Sequence, residues 1–199
     1  MKDVISIIDD DASVLEAIAL LLGTAGLTAA RYDSAIAFLA APAEPGCIVC
    51  DVRMPEMTGL DLLRRLKQTG DDRPFLLLTG HGDVAMALQA IKLGAFDFLE
   101  KPFANDRLIE AIKGALVAAT SSRQERLQLD DLKERYQSLT ERQQDTMLLI
   151  IRGHPNKEIG RLLGISPRTV EVHRSWVMTK MSAKTLTDLV RQAMALGIE

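Results

Sequence analysis

With 199 residues, 47% of them hydrophobic, the chain exceeds one average domain and suits two small ones, each long enough to bury its own core. No apolar run reaches bilayer-spanning length and the N-terminus shows no signal-peptide pattern, so a soluble, cytoplasmic protein is expected. The net charge of −3 hides an asymmetry: residues 1–117 hold 11 Lys/Arg against 17 Asp/Glu, residues 118–199 hold 13 against 10, and an acidic half joined to a basic one implies different partners.

Short apolar runs alternate with amphipathic stretches through the first 117 residues. Strands are predicted at Val4–Ile8, Thr28–Tyr32, Cys47–Cys50, Phe75–Leu78 and Phe96–Leu99. Helices are predicted between and after them, at Val14–Ala25, Ala35–Ala40, Leu60–Gln68, Val84–Leu93 and Asp106–Leu116. Five βα units of this kind imply the α/β class, a doubly wound five-stranded parallel sheet with helices on both faces. Cys47 and Cys50, the only cysteines, fall in one such strand, where positions three apart point to opposite faces; they read as core thiols rather than a redox pair or zinc ligands.

From 118 to 135 the chain turns polar without Pro or Gly, the pattern of a helical linker. Leu129, Leu132, Tyr136 and Leu139, at 3-4-3 spacing, mark a helix packing on a neighbouring domain. Residues 136–199 show no period-two alternation and read as a small all-α domain of four helices: Glu141–Arg152, Lys157–Leu163, Pro167–Met181 and Leu186–Leu196.

Ligands of doubly wound sheets bind at the carboxyl ends of the strands, and the chemistry-bearing residues collect there. Asp9, Asp10 and Asp11 follow the first strand and Asp51 ends the third, which is commonly its neighbour. Asp11 suits the N-cap of the next helix. Carboxylates of Asp9, Asp10 and Asp51 packed together repel unless a cation neutralises them, and Mg²⁺, which takes one or two carboxylates and leaves positions for a phosphate, is the expected cofactor. Thr79 and Lys101, at two further strand ends, offer a hydroxyl and a positive point charge to phosphoryl oxygens.

Asp9-Asp10, Asp51-Val52-Arg53-Met54-Pro55, Thr79 and Lys101-Pro102 together resemble the receiver domains of two-component response regulators. Thr79-Gly80-His81-Gly82-Asp83 and Phe98-Leu99-Glu100-Lys101-Pro102-Phe103 are most similar to the branch of the nitrogen-fixation regulator FixJ. The resemblance spans residues 3–117. It implies that Asp51 accepts a phosphoryl group from a sensor histidine kinase, that Asp10, Asp51 and the Arg53 carbonyl hold Mg²⁺ with Asp9 ordering the site, and that Lys101 and Thr79 bind phosphoryl oxygens. It also makes Phe98, otherwise read as a core residue, an aromatic switch that turns inward with Thr79.

In the second half, Asn156–Leu163, the turn Gly164-Ile165 and the helix opened by Ser166-Pro167 read as a helix-turn-helix, with Ser166 as N-cap and Pro167 as first helical residue. Val170, His173, Val177 and Met181 form the core side of that helix, His173 as a hydrogen-bonded core histidine. Arg168, Glu171, Val172, Ser175 and Thr179 form a second stripe, placed to meet base edges in a major groove. Lys157, Arg168, Arg174 and Lys180 are candidates for phosphate contacts.

Ile165 to Arg174, with Leu139-Thr140-Glu141-Arg142 and Asn156-Lys157-Glu158-Ile159, is similar to the LuxR-type DNA-binding domain over residues 136–199. This implies base contacts from Glu171, Val172 and Ser175, backbone contacts from Lys157, Arg168, Thr169, Arg174 and Lys180, and dimerisation through the last helix. The two resemblances together imply a transcriptional regulator that forms a homodimer on phosphorylation, binds double-stranded promoter DNA and works with RNA polymerase, its only catalysis being its own aspartyl phosphorylation and dephosphorylation. Two rivals are a phosphatase or phosphotransferase with an aspartyl-phosphate intermediate, and a constitutive DNA-binding protein.

Overall fold

A computed structural model describes residues 3–80 and 84–198, in two compact units, 1–122 and 123–199. The first unit contains β1 (Val4–Ile8), α1 (Ala12–Thr24), β2 (Thr28–Tyr32), α2 (Ala35–Ala40), β3 (Gly46–Asp51), α3 (Gly59–Gln68), β4 (Phe75–Thr79), α4 (Val84–Lys92) and β5 (Asp97–Glu100). All strands are parallel, in the order β2-β1-β3-β4-β5. This is the doubly wound sheet the alternating pattern requires, and it carries a core on each face. Ile8, Ile48, Cys50 and Leu77 pack on one side with Phe38 and with Leu62, Leu63 and Leu66 of α3. Ile5, Ile7, Cys47, Val49, Leu76 and Leu78 pack on the other with Leu15, Ile18 and Leu22 of α1 and with Leu108 and Ile112.

Cys47 and Cys50 therefore do lie on opposite faces, both buried and free. Burial pushes the Cys47 thiol up to about 12 and the Cys50 thiol well above its ordinary value, which leaves both as unreactive hydrophobes.

The helix expected over Asp106–Leu116 and the stretch expected as a helical linker are one continuous helix, α5, from Asn105 to Gln137, starting in the first unit and ending in the second. Its apolar face fades after Ala115, yet no proline interrupts the backbone ladder. The second unit holds the end of α5 and the helices α6 (Glu141–Ile151), α7 (Asn156–Leu163), α8 (Pro167–Lys180) and α9 (Leu186–Ala195) around Leu139, Met147, Ile150, Ile159, Val170, Val177, Met181 and Leu189, with Leu132 and Tyr136 of α5 packed against them. Among the described residues no helix is long and apolar enough to cross a membrane.

One clamp ties together the segments that enter β3 and β4. Arg73, before β4, binds both Asp71 oxygens, donates to the Glu44 carbonyl before β3 and lies over the Phe38 ring at 5.2 Å. Burial works against the Asp71 charge, but the Arg73 hydrogen bonds outweigh it and hold the carboxyl below its usual value. Because the folded pKa is the lower one, the stability gained is complete at neutral pH and is lost as pH falls below about 4. Asp71→Asn is expected to cost on the order of 1 kcal/mol at pH 7, the pair being beside solvent. The gap between native and variant in urea unfolding should narrow towards pH 3; a gap independent of pH would show that the charge contributes nothing.

Candidate functional site

The register of the sheet assembles the site. Ile8 pairs with Cys50, so the residues that follow, Asp9 and Asp51, emerge side by side at the carboxyl edge, and Thr79 and Glu100 end the next two strands in register. Asp9 is 2% exposed and Asp51 8% exposed. The Lys101 ammonium sits between them, 2.9 Å from Asp9 Oδ2 and 2.5 Å from Asp51 Oδ1. Its backbone N–H donates to the Thr79 carbonyl at 2.7 Å, which fixes the start of the side chain at the site.

The second oxygen of each carboxylate is also engaged. Asp51 Oδ2 accepts from the Arg53 N–H at 2.6 Å, and Asp9 Oδ1 from the Asp11 N–H at 2.9 Å. Gly59 lets α3 start against this loop: a Cβ there would lie 2.3 Å from the Asp51 carbonyl, so a side chain would push the helix away or displace Asp51. Burial opposes the Lys101 charge, but hydrogen bonds to Asp51 and Asp9, with their charges, outweigh it and raise its pKa, so the ammonium persists throughout the physiological range.

Sequence reasoning placed three carboxylates in contact; the structure brings two together around a lysine. Asp10 is exposed beside them, and among the described residues no three His, Cys, Asp or Glu side chains are arranged to hold a metal ion jointly. Lys101 already offsets the repulsion that had motivated a cation. The donor set still fits Mg²⁺, which needs only one or two carboxylate oxygens at an edge open to water and phosphate. Asp11 is the N-cap of α1, accepting from the Ser13 N–H at 2.8 Å.

Thr79 is buried and its hydroxyl donates to the Gly80 carbonyl at 3.3 Å. Phe98, which apart from the resemblance reads as a core residue, is 37% exposed, and its neighbour Leu99 occupies the core instead. His81, Gly82 and Asp83 of the branch motif lie outside the described residues.

In the second unit α7, the turn and α8 form the predicted helix-turn-helix. Gly164 takes the left-handed conformation at φ 68° that ends α7, and Ser166 caps α8 through the Thr169 N–H at 3.0 Å. Gly160 permits the close approach, since a Cβ there would lie 2.7 Å from the Ile165 carbonyl. Arg168, Thr169, Glu171, Val172, Ser175 and Thr179 are all exposed, as is Lys157 on α7, while Val170, Val177 and Met181 are buried. Arg174 is half-buried.

Two residues depart from expectation. Lys180 donates to the Ser138 carbonyl at 2.6 Å and to Gln143 Oε1 at 3.1 Å, so its ammonium ties the end of α8 to the capped start of α6 rather than standing free for phosphate. His173 is half-buried, and its Nδ1 is buried without a hydrogen-bond partner among the described residues, so that nitrogen supplies none of the hydrogen bonding expected of it. Trp176, exposed on α8, was passed over because the stripe rule selects positions by spacing and it falls beside, not on, the chosen ones.

The chain matches the response regulator receiver domain over residues 5–113 and the luxR family of bacterial regulatory proteins over residues 137–193. It is 46% identical over 199 residues to the transcriptional regulatory protein FixJ of Bradyrhizobium diazoefficiens, covering 99% of this chain and 97% of that one. Response regulator protein TodT of Pseudomonas putida is 44% identical over 190 residues, 94% of this chain and 84% of the relative. Among solved structures, the response regulator StyR superimposes with a TM-score of 0.88 at 39% identity, covering 98% of this chain and 99% of that chain. Full-length FixJ from B. japonicum does so with a TM-score of 0.61 at 44% identity, covering 99% and 98%. The parallel sheet with its acidic edge and the helix-turn-helix thus place this chain among the response regulators, as a FixJ-type transcriptional regulator with a receiver domain and a LuxR-type DNA-binding domain.

Proposed function

We propose that a cognate sensor histidine kinase phosphorylates Asp51, and that the phosphorylated chain forms a homodimer in the cytoplasm, binds promoter DNA and controls transcription with RNA polymerase. The observation that carries this is the pair of buried carboxylates, Asp9 and Asp51, gathered on one ammonium at the carboxyl edge of the sheet. An Asp51 oxygen attacks the phosphorus of the phosphohistidine as its P–N bond breaks, and the imidazole leaves with the electron pair. Lys101 exchanges its bond to Asp51 for one to a phosphoryl oxygen, and the Thr79 hydroxyl turns from Gly80 to bond another. Asp10, Asp51 and the Arg53 carbonyl, with Asp9 ordering them, would hold Mg²⁺, whose charge supports the phosphoryl oxygens.

Residues 1–117 form the receiver, 118–135 the helical linker and 136–199 the DNA-binding domain in this reading. Exposed Leu88 and Ile91 on α4 and Phe98 on β5 suit pairing of receivers, and exposed Leu186 and Met194 on α9 suit pairing of the DNA-binding domains. Incubation with acetyl phosphate and Mg²⁺ should label the chain, convert it to a dimer and raise its DNA affinity; EDTA should prevent all three without unfolding it. Labelling undiminished by EDTA removes the metal from the scheme, and DNA binding unaffected by labelling favours the constitutive rival.

On α8, Glu171, Val172 and Ser175 are placed to read bases, and Lys157, Arg168, Thr169 and Arg174 to hold phosphates; Lys180 is withdrawn from that set. Glu171→Ala should relax preference at one or two base pairs by about 1–3 kcal/mol each. Arg174→Ala should weaken all DNA alike and lower the slope of log K on log salt by about one unit. The reverse pattern in a salt series would mean that α8 docks with another rotation.

A further inference from the structure

α8 carries more apolar surface than its own fold uses. Val170 and Val177, with Met181 at its cap, supply the inner side and are fully buried. On the outer side Val172 is 52% and Trp176 53% exposed, one helical turn apart, so their side chains adjoin. Trp176 is the only tryptophan of the chain, and its indole has no hydrogen-bond or ring partner among the described residues. A single exposed apolar residue is ordinary; an adjacent large pair on the surface of a helix-turn-helix recognition helix is not.

At about 100° per residue, Trp176 lies some 40° beyond Val172 around α8, so the pair forms one border of the stripe of Arg168, Glu171 and Ser175. The opposite border carries Arg174. On the Trp176 side the nearest cation is Lys180, which is spent on Ser138 and Gln143. One edge of the reading surface is therefore cationic and the other apolar. The major groove displays a single apolar group, the thymine 5-methyl, and that is the complement of an apolar edge.

We propose that Val172 and Trp176 form a thymine-reading pair, with the indole lying against the 5-methyl of one thymine in each half-site. The inference rests on the docking of α8 proposed above. It makes Trp176 a specificity determinant through apolar contact, separate from the hydrogen-bonding role of Glu171. Closing the pair on a methyl also removes from water indole surface that the folded domain leaves exposed.

The probe is a duplex selected from a random-sequence pool by the phosphorylated full-length chain, with each thymine replaced in turn by deoxyuracil, which removes one methyl. At one thymine per half-site the native chain should lose about fourfold in affinity, the worth of one buried carbon. Trp176→Ala should show no loss there, Trp176→Phe a partial one, and the native indole emission should shift to the blue on the selected duplex. Equal responses of native and Trp176→Ala to every replacement, or an unchanged emission, overturn the inference. So does a Trp176→Ala variant that keeps its DNA affinities but transcribes less with RNA polymerase, which would assign the pair to a protein contact. Glu171→Ala separates the two levels: altered base preference there with a silent Trp176 leaves the docking of α8 intact, whereas silence of both means that α8 does not read the duplex.

Discussion

Asp51→Asn is expected to abolish phosphoryl labelling from acetyl phosphate or a phosphorylated kinase, and with it the phosphorylation-dependent gain in dimer and DNA affinity. The amide preserves the shape of the carboxylate but lacks its nucleophilic oxygen pair. The cost to the fold should be small and has a definite origin. Asp51 now accepts from Lys101 Nζ and from the Arg53 N–H, and an asparagine presents an NH₂ to one of these donors, losing one hydrogen bond worth about 1 kcal/mol. Lys101 retains Asp9. A Tm close to the native value with complete loss of label is therefore the result that assigns the chemistry. Acid-labile phosphate persisting on the variant and mapping to Asp9 or to exposed Asp10 would reassign the acceptor.

The parts of this site that were legible in the sequence are those the sheet imposes. Apolar strands of parallel topology end together, so Asp9, Asp51, Thr79 and Lys101 were brought to one edge by strand pattern and connectivity alone. What escaped was decided by contacts that no periodicity encodes. Lys101 enters between the two aspartates, from 50 residues beyond one and 92 beyond the other, and turns an expected carboxylate cluster into a paired one. Phe98, whose apolar side chain alone reads as core, is 37% exposed on β5 while Leu99 is buried, a choice of face that a four-residue strand of mixed polarity does not announce. The absence of Pro and Gly from 118 to 135 announced a helical connector, but its union with the preceding helix into a single α5 was not legible, because the exposed turns around Arg123 to Arg126 carry no apolar face. In α8 the burial of Val170 and Val177 followed from spacing, whereas the capture of Lys180 by Ser138 and Gln143 depends on where α6 begins, a tertiary fact.

Lys101→Met tests the other half of the reading, that the ammonium both holds the resting site together and transmits the phosphoryl group to the rest of the domain. Methionine keeps a stem of similar length and removes only the charge and its donors. Asp9 and Asp51, nearly buried, then face each other uncompensated. Breaking a fully buried ion pair costs several kcal/mol; with Lys101 itself 29% exposed, about 2 kcal/mol is expected in metal-free buffer. Mg²⁺ should restore more stability to the variant than it adds to the native chain, because the ammonium no longer competes for the same oxygens. Phosphorylation of Asp51 should survive in Mg²⁺, since the nucleophile is intact. The labelled variant should nonetheless dimerise and bind DNA at least about tenfold less tightly than the labelled native chain, having lost one charge-assisted bond to the phosphoryl group. Thermal unfolding across a Mg²⁺ series, with sedimentation of the labelled proteins, reads both effects. Equal Tm values and equal metal responses would show that Lys101 does not offset the carboxylates, and full dimerisation of the labelled variant would move the coupling to Thr79.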